Sequence, residues 1–207
     1  QDRGEAPGAL DMTSGPDPID AFQRLSVKER NERLFQLLVE VGAKSIVVEG
    51  ENGEIEGLVA DRTVMLKYFK TRVWARETVA CAQAILSRGG SFVDLGANIG
   101  LTTIPVARLP GVACIAVEAM PENARLLRLN LVRNGVADRV DVHNVAISPA
   151  AANVTLEVAP ENKGDHRLRL PTTPAEGRYG EGRRQTVSVP GKPLGDVIDA
   201  ERLDRPI

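Results

Sequence analysis

From residue 76 to residue 147, short apolar runs alternate with helical patterns. This alternation predicts an α/β fold on a parallel, doubly wound sheet. Two local features agree. The apolar run at residues 92–95 ends in a glycine-spaced turn, Gly96-Ala97-Asn98-Ile99-Gly100, and flows into a helical pattern. Asn134-Gly135 then stops the following helix with residues that tolerate a left-handed backbone. In order, the reading is a helix from Arg76 carrying Val79, Ala82 and Ile85 and closed by Gly89-Gly90, strand 92–95, helix 98–108, strand 113–118, helix 121–134 and strand 140–147. Strands separated by helices in this way are joined by right-handed crossovers, which gives βαβαβ, half of a doubly wound sheet.

The flanks read differently. Residues 1–18, rich in Gly, Pro and Asp, read as a flexible lead-in. Residues 19–75 form an accessory N-terminal segment. In it Ser26 and Glu29 have capping-box spacing, Leu34, Leu37, Leu38 and Val41 recur at helical period, and Gly42 closes the helix. Residues 46–48 and 55–59 are β-like runs around Asn52-Gly53, a hairpin signal, and residues 64–69 read as a further strand. Residues 76–207 form the main domain, with an insertion at 150–192. After Pro149, residues 153–158 and 185–189 read as strands, a polar Gly- and Pro-containing stretch lies between them, and residues 194–203 read as a short helix.

Composition excludes several classes. The 207 residues carry 26 Lys and Arg against 28 Asp and Glu, so net charge gives no argument for nucleic acid or an anionic membrane. Aromatics make up only 3%, so the core must be built from aliphatic side chains, and Tyr179 alone in the insertion makes no stacking groove for bases. No run reaches the roughly 18 apolar residues of a membrane span, and the N-terminus has no signal-peptide pattern. Cys81 and Cys114 read as buried, reduced thiols of a cytoplasmic protein. No His, Cys and acid cluster has metal-ligand spacing. The chain opens with Gln1, from which we expect a piece of a longer or processed product.

The glycine turn carries the chemistry. A strand, tight turn and helix N-terminus offer backbone N–H groups and a favourable dipole to a nucleotide-like ligand. A dinucleotide fingerprint needs Gly-x-Gly-x-x-Gly; here the central glycine is missing, and Gly96 and Gly100 are separated by Ala97-Asn98-Ile99. Asp94, ending the strand, would repel a pyrophosphate but suits a ligand with an ammonium group, such as the methionine end of S-adenosylmethionine. Glu118 ends the next strand 18 residues after Gly100, where an acid can accept both ribose hydroxyls. S-adenosylmethionine is thus the first reading of the ligand, with a dinucleotide or a purely structural turn as alternatives.

The string Phe92-Val93-Asp94-Leu95-Gly96-Ala97-Asn98-Ile99-Gly100 resembles the first motif of class I methyltransferases, and more narrowly of the FkbM-type family. The resemblance continues through Glu118-Ala119-Met120-Pro121-Glu122-Asn123, Leu126, Leu129, Asn130, Asn134-Gly135 and Asn144-Val145-Ala146-Ile147-Ser148, over about residues 76–205. Ala119 stands where the family usually has Pro. The resemblance implies a Rossmann-like class I methyltransferase fold, here cut short before its fourth core strand and preceded by an α+β extension. It implies that Asp94, Gly96 and Ala97 line the methionine end of the cofactor and that Asn98 and Gly100 shape the turn. Glu118 would hold the ribose, Ala119 and Met120 would border the adenine, and Asn144, Val145 and Ala146 would meet its edge. Met120 is equally well explained as core packing. Glu77, opening the helix before the first strand, is placed near the cleft, although an acid there also suits the helix dipole.

An alcohol acceptor must lose a proton, and His is the usual base near neutral pH. His143 lies inside a strand and reads as packed. His166, in Gly164-Asp165-His166-Arg167, lies in an insertion whose counterpart in the family carries similar strings. It is the candidate base, with Asp165 as its orienting acid; organising a loop turn is the other reading. Arg167, Arg169, Arg178, Arg183 and Arg184 make that insertion either a solvated loop or a grip for an anionic substrate.

The family's fourth core strand, with Lys-x-Asp-x-x-Gly, has no match in the chain, so the first strand is expected to have an open edge, which a homodimer would cover. The leading functional expectation is O-methylation of a hydroxyl on a sugar, polyketide or other small metabolite, with a small-molecule or glycan acceptor and neither nucleic acid nor membrane as partner. A truncated or degenerate cofactor-binding module without turnover is the alternative, and an NAD-dependent oxidoreductase the third.

Overall fold

The computed structural model describes residues 18–159, 166–168 and 185–198. Helix α1 (Pro18–Gln23) precedes α2 (Val27–Glu40), which begins with the capping box that the spacing predicts. The Ser26 hydroxyl accepts the Glu29 N–H at 3.2 Å, and the Glu29 carboxylate accepts the Ser26 N–H at 2.8 Å. Strands β1 (Ser45–Gly50) and β2 (Gly53–Leu58) form the expected antiparallel hairpin, with Gly50 opposite Gly53.

The run at 64–69 is not a strand but the body of helix α3 (Val64–Thr71). Its β-forming residues conceal a helical face: Val64, Met65 and Tyr68 are all buried. The Asp61 carboxylate accepts the N–H groups of Thr63 and Val64 at 3.0 and 2.9 Å, so an upstream acid starts the helix.

After α4 (Arg76–Ile85), strands β3 (Gly90–Leu95), β4 (Val112–Val117) and β5 (Val140–His143) form a parallel sheet in the order β3-β4-β5. Their crossovers carry α5 (Thr103–Ala107) and α6 (Pro121–Arg133). This is the Rossmann-like α/β arrangement that the alternation predicts. Two boundaries differ. Helix α5 begins at Thr103 rather than 98, because Asn98 (φ +51°) and Gly100 (φ +96°) are incompatible with a helix. The strand expected over 140–147 breaks at Asn144, and β6 (Ala146–Ile147) joins a second sheet. That sheet has the order β6-β9-β7-β8, with β7 (Ala152–Val158), β8 (Arg167–Leu168) and β9 (Gln185–Lys192). Of the helix expected over 194–203, α7 (Leu194–Val197) is present; residues 199–203 lie outside the described residues. Among the described residues, β3 pairs only with β4.

The N-terminal segment shares its core with the parallel sheet. Phe35, Ile55, Met65 and Tyr68 belong to the same buried cluster as Ile99, Ile104, Leu126 and Leu127. Full burial of each such side chain is worth roughly 1.5–3 kcal/mol, which makes this shared cluster a main attachment of the segment. The free edge of β2 is met by α6. The Asn130 side-chain amide pairs with both backbone groups of Glu56, and that of Asn134 with both of Glu54. Gly53, at φ +124°, is needed at the hairpin tip because a Cβ there would stand 2.5 Å from the Asn134 Oδ1.

Cys114 is buried, and burial pushes its thiol up to about 12, with the Asp94 charge adding to the rise. Cys81 is exposed, contrary to the expectation of two buried thiols, because it falls on the outer face of α4. No described helix is long and apolar enough to cross a membrane.

Candidate functional site

The end of β3, the glycine turn and the end of β4 form a cleft. Gly96 takes φ +87°, and a Cβ on it would meet open space, so the turn shows bare backbone to the cleft. Gly100 is closed in; a Cβ there would lie 2.9 Å from the Leu127 Cδ1.

The turn does not offer its N–H groups as the sequence led us to expect. Gly96 and Ala97 both donate to the Val117 carbonyl, at 2.8 and 3.0 Å, and Gly100 donates to Ala97 at 2.9 Å. Asn98 donates to the Glu118 Oε2 at 2.9 Å. Helix α5, five residues long and starting beyond the turn, adds little dipole at the cleft. Four N–H groups that could cradle a pyrophosphate are therefore spent inside the protein.

The cleft instead holds two carboxylates. Asp94 accepts the Thr103 hydroxyl at 2.6 Å. Burial lifts its carboxyl above the ordinary range, while the Thr103 bond pulls the other way. Glu118, only 6% exposed, accepts the Met120 N–H on Oε1 at 2.8 Å as well as the Asn98 N–H on Oε2. Burial also raises its carboxyl, opposed by the bonds from Met120, Asn98 and the Asn123 side chain, and raised further by Asp94. Met120, Asn98 and the Asn123 side chain take three of the four lone-pair sites of Glu118, which leaves capacity for one hydroxyl donor.

Two cavities meet at Gly96. The first, about 260 Å³, is lined by Asp94, Ala97, Asn98 and Leu101 on the turn side and by Thr63, Val64 and Trp74 from the N-terminal segment. The second, about 230 Å³, is lined by Glu118 and by Val117, Ala119, Val145, Ala146 and His166. The first has carboxylate and hydroxyl at its wall; the second is mostly apolar, with Glu118 and His166 in its lining. A larger cavity of about 510 Å³ lies elsewhere, against β4, β5 and α7, and shares no lining residue with these two.

Asp94, Gly96, Ala97, Asn98, Glu118, Ala119, Val145 and Ala146 thus come together around the cleft, and Gly100 closes the turn. Asn144 lines neither cavity; its side-chain amide donates to the carbonyls of Glu118 and Ala119 at 2.8 and 3.0 Å and so fixes the strand end. Met120 packs against the cluster of Ala146, Leu156 and Val189. Glu77 is exposed on α4 and lines neither cavity. His166 reaches the second cavity, and its Nδ1 accepts the Ala159 N–H at 3.1 Å. Asp165 lies outside the described residues. Among the described residues, no group of three His, Cys, Asp or Glu could hold a metal ion. Sequence reasoning missed Thr63, Val64 and Trp74, whose only signal was proximity to the predicted hairpin.

No family model matches the chain, and no curated protein matches it. Among solved structures it is similar to Pyrococcus horikoshii TYW2 in complex with MeSAdo (24% identity, 58% of this chain and 50% of that one, TM-score 0.40). It is also similar to an RNA methyltransferase from Salinibacter ruber in complex with S-adenosyl-L-homocysteine (25% identity, 34% and 47%, TM-score 0.31). A third is an O-methyltransferase from Bacillus cereus in complex with SAH (17% identity, 64% and 46%, TM-score 0.31). The chain spans about half the length of the solved structures it matches.

Proposed function

We propose that this chain binds S-adenosylmethionine and belongs to a methyltransferase of the FkbM type that acts on a hydroxyl of a sugar, polyketide or other small metabolite. The observation that carries the cofactor reading is the accounting of the glycine turn. Four of its five N–H groups are spent internally, while the half-buried Asp94 and the buried Glu118 line the paired cavities. This suits a cationic nucleoside and disfavours a pyrophosphate, so it supports the oxidoreductase reading least.

The residues present fit the cofactor. Asp94 would hold the ammonium of the methionine end in the first cavity, Glu118 a ribose hydroxyl, and the slot of Ala119, Val145 and Ala146 the flat base. Bound there, the cofactor would supply a methyl group on a positively charged sulfur. The chain's own part is to orient and to exclude water: Trp74, Val64 and Leu101 wall the charged end, and buried surroundings strengthen every charge contact made there.

The Ala159 bond occupies Nδ1, so a neutral His166 carries its proton on Nε2, which is buried. With no open lone pair, the ring is better suited to walling the cavity than to the role of general base. Incubation with methyl-labelled S-adenosylmethionine and a panel of hydroxylated small molecules tests turnover. Label transferred to an oxygen supports the O-methyltransferase reading; tight binding without transfer supports a binding module.

A further inference from the structure

We propose that Asn52 and Asn130 are positioning residues for the glycine turn, and that through them the N-terminal hairpin sets cofactor affinity. The proposal rests on the cofactor reading above.

The two side chains repeat one pattern from different elements. Asn52, at the hairpin tip and 3% exposed, accepts the Trp74 N–H on Oδ1 at 2.8 Å. Its Nδ2 donates to the Trp74 carbonyl at 2.9 Å and to the Leu101 carbonyl at 2.8 Å. Asn130, on α6 and wholly buried, accepts the Glu56 N–H at 2.8 Å. Its Nδ2 donates to the Glu56 carbonyl and to the Ile99 carbonyl, both at 2.9 Å. Each amide therefore grips one residue of the N-terminal segment by both backbone groups and spends its remaining donor on the turn. The orientation of each amide is dictated by its partners, since a backbone N–H must meet the oxygen and two carbonyls the nitrogen.

The two turn carbonyls so held, Ile99 and Leu101, flank Gly100. Glycine at φ +96° imposes no side-chain restraint on the chain there, so the peptide planes on either side need outside anchors. Trp74 and Leu101 both line the first cavity, so Asn52 ties two of its lining residues together. No other side chain type offers one acceptor and two donors at this reach. Alanine would leave buried backbone groups unpaired, and aspartate would set an oxygen against the Leu101 or Ile99 carbonyl.

The molecule contains its own control. Asn134 grips Glu54 by both backbone groups, at 3.0 and 2.8 Å, but its remaining contacts run to the Asn130 carbonyl and to Arg108, not to the turn. A purely structural role predicts that all three asparagines behave alike.

The experiment measures S-adenosylhomocysteine affinity by calorimetry and the unfolding midpoint of the full chain for wild type, Asn52→Ala, Asn130→Ala and Asn134→Ala. All three variants are expected to melt earlier. The first two are expected to lose about tenfold or more in affinity at a temperature where they are folded, and Asn134→Ala to stay within about twofold. Affinity in Asn52→Ala and Asn130→Ala that matches Asn134→Ala overturns the positioning role while leaving the cofactor reading intact. A wild type that binds neither S-adenosylmethionine nor S-adenosylhomocysteine overturns both. Should the variants not fold, amide exchange on wild type decides. The Glu56 and Trp74 N–H groups are expected to exchange more slowly with S-adenosylhomocysteine bound, and unchanged exchange there overturns the proposal.

Discussion

On one side of Gly96 the cleft is walled by Trp74, Thr63 and Leu101, with backbone held by buried side-chain amides and a carboxylate at the wall. On the other side the wall is Val117, Ala119, Val145 and Ala146, and behind it stands an apolar cluster with Leu156 and Val189. The first wall is assembled from segments far apart in the chain by directed hydrogen bonds. The second grows out of the ends of β4 and β5, where neighbouring strands already meet. The contrast shows how a small cleft can discriminate the ends of one ligand. On the proposed reading, the polar wall would select for charge and fix distance, and the apolar wall would accept a flat group with few directional demands.

The sharpest way to break this contrast is to neutralise the polar wall. Asp94→Asn keeps an acceptor for Thr103 and removes the charge. It is expected to lower affinity for S-adenosylmethionine by about 10- to 100-fold. The same variant is expected to melt at a higher temperature at neutral pH, because burial already disfavours the ionised Asp94 in the native chain. Loss of affinity together with loss of stability would instead mark Asp94 as a structural residue.

Titration with pH probes the same wall. Asp94 and Glu118 both have raised carboxyls, so the native chain binds protons that the unfolded chain has released. Their contribution to stability therefore falls as pH rises from the ordinary carboxylate values through the raised ones. A cationic ligand favours the ionised forms, so its affinity is expected to rise across that same window. Calorimetry in a pH series, with thermal melts of the free chain, checks both signs; parallel trends would remove the carboxylates from the account.

The second cavity is lined by two polar side chains, Glu118 and His166. His166→Ala is expected to weaken S-adenosylhomocysteine binding by several-fold through lost wall contact, and to leave the pH profile of any turnover unchanged. A lost ionisation in that profile would restore the ring as a base. The smallest effect belongs to the rim of the segment. Arg133 pairs with Glu54 and Glu56 at 3.0 Å each, half in solvent. Arg133→Ala is expected to lower the unfolding midpoint less than Asn134→Ala and to leave ligand affinity alone.

Much of the cleft was legible in the sequence, because its residues sit at the ends of consecutive strands. Asp94, Gly96 and Glu118 follow from the βαβ pattern and the glycine spacing alone. The polar wall was not legible. Asn52 reaches Leu101 across 49 residues and Asn130 reaches Ile99 across 31, and no local pattern announces such bonds. Helix α3 was hidden because Val64, Tyr68 and Phe69 favour strands, and the Asp61 bonds that cap it start three residues upstream. The fate of the turn's N–H groups was equally hidden, since it depends on where the Val117 carbonyl and the Glu118 carboxylate come to rest. The break of the β5 strand at Asn144 depends on the same meeting of strand ends.

On the proposed reading, this turn holds a cationic nucleoside and not a pyrophosphate. Calorimetric titration of the chain with S-adenosylmethionine and with NAD, side by side, tests it directly. Saturable binding of S-adenosylmethionine with no heat from NAD is the predicted result; binding of NAD without S-adenosylmethionine would contradict the account.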